Sequence, residues 1–196
     1  MKKLFVLLSL LAGLAFQPLA HAVEESEVPE KMRTELGLYL TPTEAYELKQ
    51  EMGDRALFID VRTAAEVAYT GTPTVMDLNI PMMFFDRSVW DENRQTYGVR
   101  ENPDFTSAIE SVLFERDLTN DSPIILMCRS GTTRSTKGAN LLKQLGFTKV
   151  YTVINGFEGP TAKSGPNKGQ RVVSGWKNDG LPWSYKLGEE RAFGVE

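Results

Sequence analysis

Residues Pro123 to Ser135 read Pro-Ile-Ile-Leu-Met-Cys-Arg-Ser-Gly-Thr-Thr-Arg-Ser, an unbroken apolar run that ends at a cysteine and opens into a polar loop. A short strand with no polar side has to be covered on both faces, which is the condition of a parallel sheet sandwiched between helices. Beyond the loop, Thr136 to Leu145 places Ala139, Leu141, Leu142 and Leu145 at helical spacing. Cys128 therefore stands at the carboxyl end of a strand and faces a helix N-terminus. Unpartnered backbone N–H groups and the helix dipole make such a point an anion site. The first anion it favours is the cysteine's own thiolate. A lone cysteine is ordinarily a small buried hydrophobe, but Arg129, Ser130, Gly131, Thr132, Thr133 and Arg134 form the electropositive, hydroxyl-rich setting that turns a thiol into a nucleophile.

The flanking sequence supports an α/β architecture. Thr41-Pro42-Thr43-Glu44 combines a threonine cap, a proline in the first turn and an early acid, and announces a helix to about Glu51. Ala56 to Val61 reads as a buried strand, Arg62 to Ala68 as a short helix, and Met76 to Ile80 as a second strand ending at Pro81. Met82 to Pro103 reads as a long irregular loop of the kind that serves as a lid. Phe105 to Arg116 is an amphipathic helix, and Lys149 to Ile154 a further strand. Strands alternating with helices predict a central, mostly parallel sheet flanked by helices in three layers, with ligands bound at the strands' carboxyl ends.

The ends of the chain carry different signals. Lys2 and Lys3, an apolar stretch from Leu4 to Phe16, and Ala20-His21-Ala22 have the layout of a secretory signal, residues 1–22, cleaved after Ala22. The expected compartment is a bacterial periplasm, with no membrane anchor. Residues 23–40 form an acidic leader with Glu24, Glu25, Glu27 and Glu30. A domain over 41–185 follows, then a C-terminal tail, 186–196. Within the domain, 159–174 is rich in Gly, Pro, Lys and Ser and reads as a surface loop, and Trp176, Leu181, Pro182, Trp183 and Tyr185 as a segment packed back onto the core. The chain's single histidine, His21, leaves with the signal, so activation of Cys128 falls to arginine, hydroxyls and backbone dipoles, and no metal site is expected. A formal charge of −4, made more negative by loss of Lys2 and Lys3, disfavours nucleic acid and anionic membranes as partners.

Asp60-Val61-Arg62 with Glu66, Asn79-Ile80-Pro81, Cys128-Arg129-Ser130-Gly131, Leu145-Gly146-Phe147, Gly156-Phe157-Glu158-Gly159, Trp176 and Gly180-Leu181-Pro182 occur in this order along the chain. Over about Thr41 to Tyr185 the sequence resembles the rhodanese family, the single-domain sulfurtransferase-like proteins. Gly71-Thr72-Pro73 stands where the family commonly has a histidine-bearing stretch, and 159–174 looks like an insertion that could reach the active loop. Loop length admits two alignments. Cys128 to Arg134 matches the C-x5-R phosphate loop of cysteine phosphatases, whereas Cys128 to Thr133 resembles a six-residue sulfurtransferase loop with Arg134 beginning the helix. The second alignment is favoured.

The resemblance implies a sulfurtransferase without a cofactor, in which a Cys128 persulfide links a small sulfur-containing anion to a thiol or cyanide-like acceptor. Arg129 is expected to hold the anion, Arg134 to lower the thiol pKa, and Thr132, Thr133 and Ser130 to bond the persulfide. Asp60 and Arg62 stand as supporting residues. The residues themselves also give blander expectations: an Arg62–Glu66 ion pair at i, i+4, Asp60 as a turn or cap residue, and Ser130 or Thr133 as helix caps. Two alternatives remain. A phosphatase or arsenate-reductase-like enzyme would draw a general acid from Asp86 or Asp91, and a non-catalytic carrier would hold sulfane sulfur without turning it over.

Overall fold

The computed structural model describes residues 23–194. The expected signal, residues 1–22, lies outside them. The central sheet has five strands, all paired in parallel, in the order β1-β8-β7-β2-β4: β1 Tyr39–Leu40, β2 Leu57–Asp60, β4 Leu78–Asn79, β7 Ile124–Met127 and β8 Val150–Val153. Every residue of β2 and β7 is buried, as the apolar runs of Leu57, Phe58 and Ile59 and of Ile124–Met127 require, and Asp60 at the end of β2 is buried with Arg62 as its partner. Their side chains divide by alternation. Leu57, Ile59, Ile124 and Leu126 join Ile109 and Leu113 of helix α3 (Phe105–Glu115) and Ala139 and Leu142 of α4 (Thr133–Gln144). Phe58, Ile125 and Met127 face the opposite layer, with Ala45 of helix α1 (Pro42–Met52), Phe157 and Trp176. Two cores therefore clamp the strand that leads into Cys128.

Helix starts follow local chemistry. Thr41 caps α1 and Thr63 caps α2 (Ala64–Thr70), each through a reciprocal capping box with Glu44 or Glu66. The α2 cap moves that helix two residues beyond the expected start at Arg62, so Arg62 never enters a helix. It lies fully buried instead. Its guanidinium bonds Asp60 (Nη2 to Oδ2 2.5 Å), Thr70 Oγ1 (2.7 Å) and the Gly71 carbonyl (2.7 Å), and stacks 4.0 Å over the Phe157 ring. The expected Arg62–Glu66 pair is thus replaced by Arg62–Asp60. The i, i+4 spacing had force only on a shared helix.

The segment expected to be irregular is a two-stranded ribbon outside the main sheet. Strand β5 (Met83–Asp91) pairs antiparallel with β6 (Thr96–Glu101), with a register irregularity between Asp86 and Trp90. That irregularity breaks the period of two that would have advertised strands. The turn is built by Asp91, whose Oδ1 accepts from the backbone of Asn93 (3.1 Å) and Arg94 (3.0 Å), and by Gln95 at φ 49°.

Both flanks pack onto the domain. Val28 and Met32 of the acidic leader are buried with Tyr39, and β1 forms a sheet edge. Trp176 is buried against Tyr46 and Phe58 and donates to the Pro182 carbonyl (2.9 Å). Strand β9 (Trp183–Ser184) pairs with β3 (Thr72–Pro73), and Ala192 bridges to Asn79.

The buried Asp60–Arg62 pair makes a stability test. Truncating one partner strands the other charge in the core, so Asp60→Ala should cost about 3–5 kcal/mol in chemical denaturation. A loss below about 1 kcal/mol would contradict the arrangement.

Candidate active site

The cysteine loop is held from behind by a tight turn after β8. Phe157 N donates to the Cys128 carbonyl and Glu158 N to that of Arg129, both at 2.9 Å. Two glycines with positive φ allow this approach. A Cβ on Gly156 (φ 57°) would lie 2.3 Å from the Cys128 carbonyl oxygen, and one on Gly131 (φ 69°) 2.6 Å from the Val153 carbonyl oxygen and from Asn155 N. The loop backbone is therefore fixed, and the directions of its N–H groups with it.

Cys128 is 2 % exposed, its Sγ 3.3 Å from Ser135 Oγ. Burial alone pushes the thiol pKa up. The Arg134 charge, the Ser135 hydroxyl and backbone N–H, and the Ser130 backbone N–H together outweigh burial and hold it below its usual value. Helix α4 begins at Thr133, so Arg134 occupies its first turn. The residue before it, Thr132, makes no side-chain cap, and neither Ser130 nor Thr133 supplies one, contrary to expectation; Ser130 Oγ and Thr132 Oγ1 bond each other at 3.1 Å. The helix start thus keeps N–H donors free for an anion.

Three carboxylates organise the surrounding arginines. Glu66 takes both Nη atoms of Arg134 (Nη2 to Oε1 2.8 Å) while also bonding Thr63 N (3.0 Å) and Thr63 Oγ1 (2.9 Å). Burial would raise the Glu66 pKa, but the hydrogen bonds and charge of Arg134 and the bonds from Thr63 lower it from 4.5 to about 2. Glu158 takes Arg129 Nε at 2.6 Å. Asp60 and Arg62 do not line the site; they lie beneath it and support Phe157, whose N–H holds the Cys128 carbonyl.

Above the thiol opens a cleft of about 640 Å³. Cys128, Arg129, Ser130, Thr132, Thr133 and Arg134 form its floor, α2 contributes Glu66 and Tyr69, and the ribbon contributes Met83, Phe85, Arg94, Tyr97 and Val99 as a wall. Asp86 and Asp91 are not in the lining. Asp86 is engaged by Ser88 (N 2.9 Å, Oγ 2.6 Å) and Asp91 by the hairpin turn. Tyr69, Arg94, Tyr97 and Val99 were not singled out as site residues from the sequence, nor was Arg171, which reaches the lining from the 159–174 loop. The only signal for it was a basic residue at the end of a glycine-rich insertion.

The parallel sheet flanked by helices agrees with the comparisons. The family model for the rhodanese-like domain matches residues 44–163, and the chain belongs to that family. The RP600 homolog of Rickettsia rickettsii, an uncharacterized protein, is 29% identical over 143 residues, spanning 73% of this chain and 94% of its own. Thiosulfate sulfurtransferase GlpE of Tolumonas auensis is 40% identical over a shorter 47 residues, 24% of this chain and 42% of that protein. Among solved structures, Rv0390 from M. tuberculosis superposes with a TM-score of 0.55 at 27% identity, covering 76% of this chain and 97% of that one.

Two outcomes follow from the charge layout. Because the folded Glu66 pKa lies below the ordinary 4.5, its pairing contributes fully above pH 4.5 and is lost as pH falls toward 2; the full contribution is about 3 kcal/mol. The stability gap between wild type and Glu66→Gln should therefore shrink as urea melts are taken from roughly pH 6 to roughly pH 2, and a constant gap would contradict the pairing. Removing the cation beside the thiolate in Arg134→Gln should move the pH midpoint of Cys128 alkylation by iodoacetamide upward by about one unit. An unmoved midpoint would show that Arg134 does not act on the sulfur.

Proposed function

We propose that this protein is a periplasmic sulfurtransferase that carries sulfane sulfur on Cys128. The observation that bears the reading is a thiol with lowered pKa on the floor of a cleft, beside a helix start with no side-chain cap and with neither Asp86 nor Asp91 in the lining. The Cys128 thiolate attacks the outer sulfur of thiosulfate or a similar anion. The donor's S–S bond breaks, its electron pair leaves with sulfite, and a Cys128 persulfide remains. A thiolate or cyanide-like acceptor then attacks the outer persulfide sulfur and returns the Cys128 thiolate. No net redox change or proton is needed in the first step, and the fixed donors stabilise charge as it moves.

The short match to thiosulfate sulfurtransferase GlpE supports the donor class, and the layout of residues 1–22 supports export. A phosphatase reading lacks its acid: Asp86 and Asp91 lie outside the cleft lining, and Glu66 inside it stays ionised down to about pH 2. The formal charge of −4 weighs against a nucleic-acid substrate.

Wild-type protein given thiosulfate and cyanide should form thiocyanate, Cys128→Ser should form none, and neither should release phosphate from an aryl phosphate. Turnover retained in Cys128→Ser would sink the mechanism.

A further inference from the structure

The 159–174 loop is locked at its base. A Cβ on Gly159 (φ 76°) would fall 2.0 Å from the Ser174 carbonyl oxygen, and one on Gly175 (φ 101°) 2.5 Å from Gly159 N, so the two ends pass in a contact that only glycine permits. Asn178 Nδ2 is shared among the carbonyls of Ser174 (2.9 Å), Glu158 (3.0 Å) and Arg171 (3.2 Å), and Arg171 Nη1 donates back to the Gly159 carbonyl. Glu158 also carries the carboxylate that holds Arg129. The base of the insertion and the cysteine loop are therefore one bonded unit, and Arg171 is carried from it into the cleft lining.

Four arginines line the cleft, and their pairing differs. Glu66 holds Arg134, Glu158 holds Arg129 at 2.6 Å, and Arg94 lies at the exposed mouth 3.9 Å from Asp91. Arg171 has no carboxylate within ion-pair distance among the described residues and is half-buried. Its charge is placed to interact with those of Arg129, Glu158, Glu66 and Cys128. A guanidinium with one bond to a carbonyl retains most of its five donors, in a fork that fits a sulfonate or carboxylate.

We infer that Arg171, delivered by the 159–174 loop, is the specificity residue that holds the anionic end of the sulfur donor beside Cys128. This deepens the sulfurtransferase reading and rests on it. Arg129, expected from sequence to do this work, is already partnered by Glu158.

The test uses the chain's single cysteine as reporter. Iodoacetate and iodoacetamide present the same carbon to Sγ and differ by one carboxylate charge, so the ratio of their rates reads anion attraction and cancels any change in thiolate fraction. Relative to wild type, Arg171→Gln should lower the iodoacetate-to-iodoacetamide ratio by about tenfold and Arg171→Lys by less, as expected for a charge-assisted contact. The KM for thiosulfate should rise in parallel while kcat stays within about twofold, the mark of lost ground-state binding. An alkylation ratio unchanged in Arg171→Gln overturns the inference even if turnover falls. If the wild-type protein forms no thiocyanate, the sulfurtransferase reading fails, and the ratio still decides whether Arg171 recognises anions at Cys128.

Discussion

The site depends on the backbone contact between the cysteine loop and the turn after β8. Two N–H groups, from Phe157 and Glu158, hold the carbonyls of Cys128 and Arg129. Once those carbonyls are turned back toward the turn, the neighbouring peptide N–H groups are free to face the sulfur, and the Ser130 N–H does so. The contact exists only because Gly156 and Gly131 have no side chain to place between the two segments. The buried Asp60–Arg62 pair serves the same arrangement at one remove, since the Arg62 guanidinium carries the Phe157 ring. A charge in the core thus steadies a peptide group, and the peptide group steadies a nucleophile.

The electrostatics around the thiol are graded rather than simply positive. Arg134 is fixed by two bonds to Glu66, and Glu66 is fixed by the cap of α2. The capping box that starts one helix therefore orients the cation at the start of another. The N-termini of α1 and α2 are closed by threonine, whereas that of α4 is left without a side-chain cap. Such a helix start forgoes the roughly 1 kcal/mol that a side-chain cap contributes and keeps its donors for an anion.

The parts of this molecule governed by local rules were readable in its sequence. The apolar runs of β2 and β7, the Thr41 cap and the strand–loop–helix passage around Cys128 depend on residues close together in the chain. What could not be read depends on partners far along it. Glu66 and Arg134 are 68 residues apart, with β3 to β7 and α3 between them, so nothing local distinguishes that pair from Arg62–Glu66, and the decision fell to a cap at Thr63 that shifted α2. The β5–β6 ribbon was hidden by its irregular register. Arg171 was hidden because its importance arises from a fold-back at Gly159 and Gly175 that composition does not encode.

The separation of the ribbon from the main sheet has a dynamic consequence. The floor of the cleft is the end of a strand hydrogen-bonded on both sides and clamped between two cores, while one wall is a two-stranded element that has no further strand partner among the described residues. Two-stranded ribbons are marginal on their own, and local opening follows the weakest cooperative unit. Amide protons of β5 and β6 will therefore exchange with solvent through partial openings that leave β7 protected. The mouth of the cleft can breathe to admit molecules of different bulk while the sulfur and its donors stay in register.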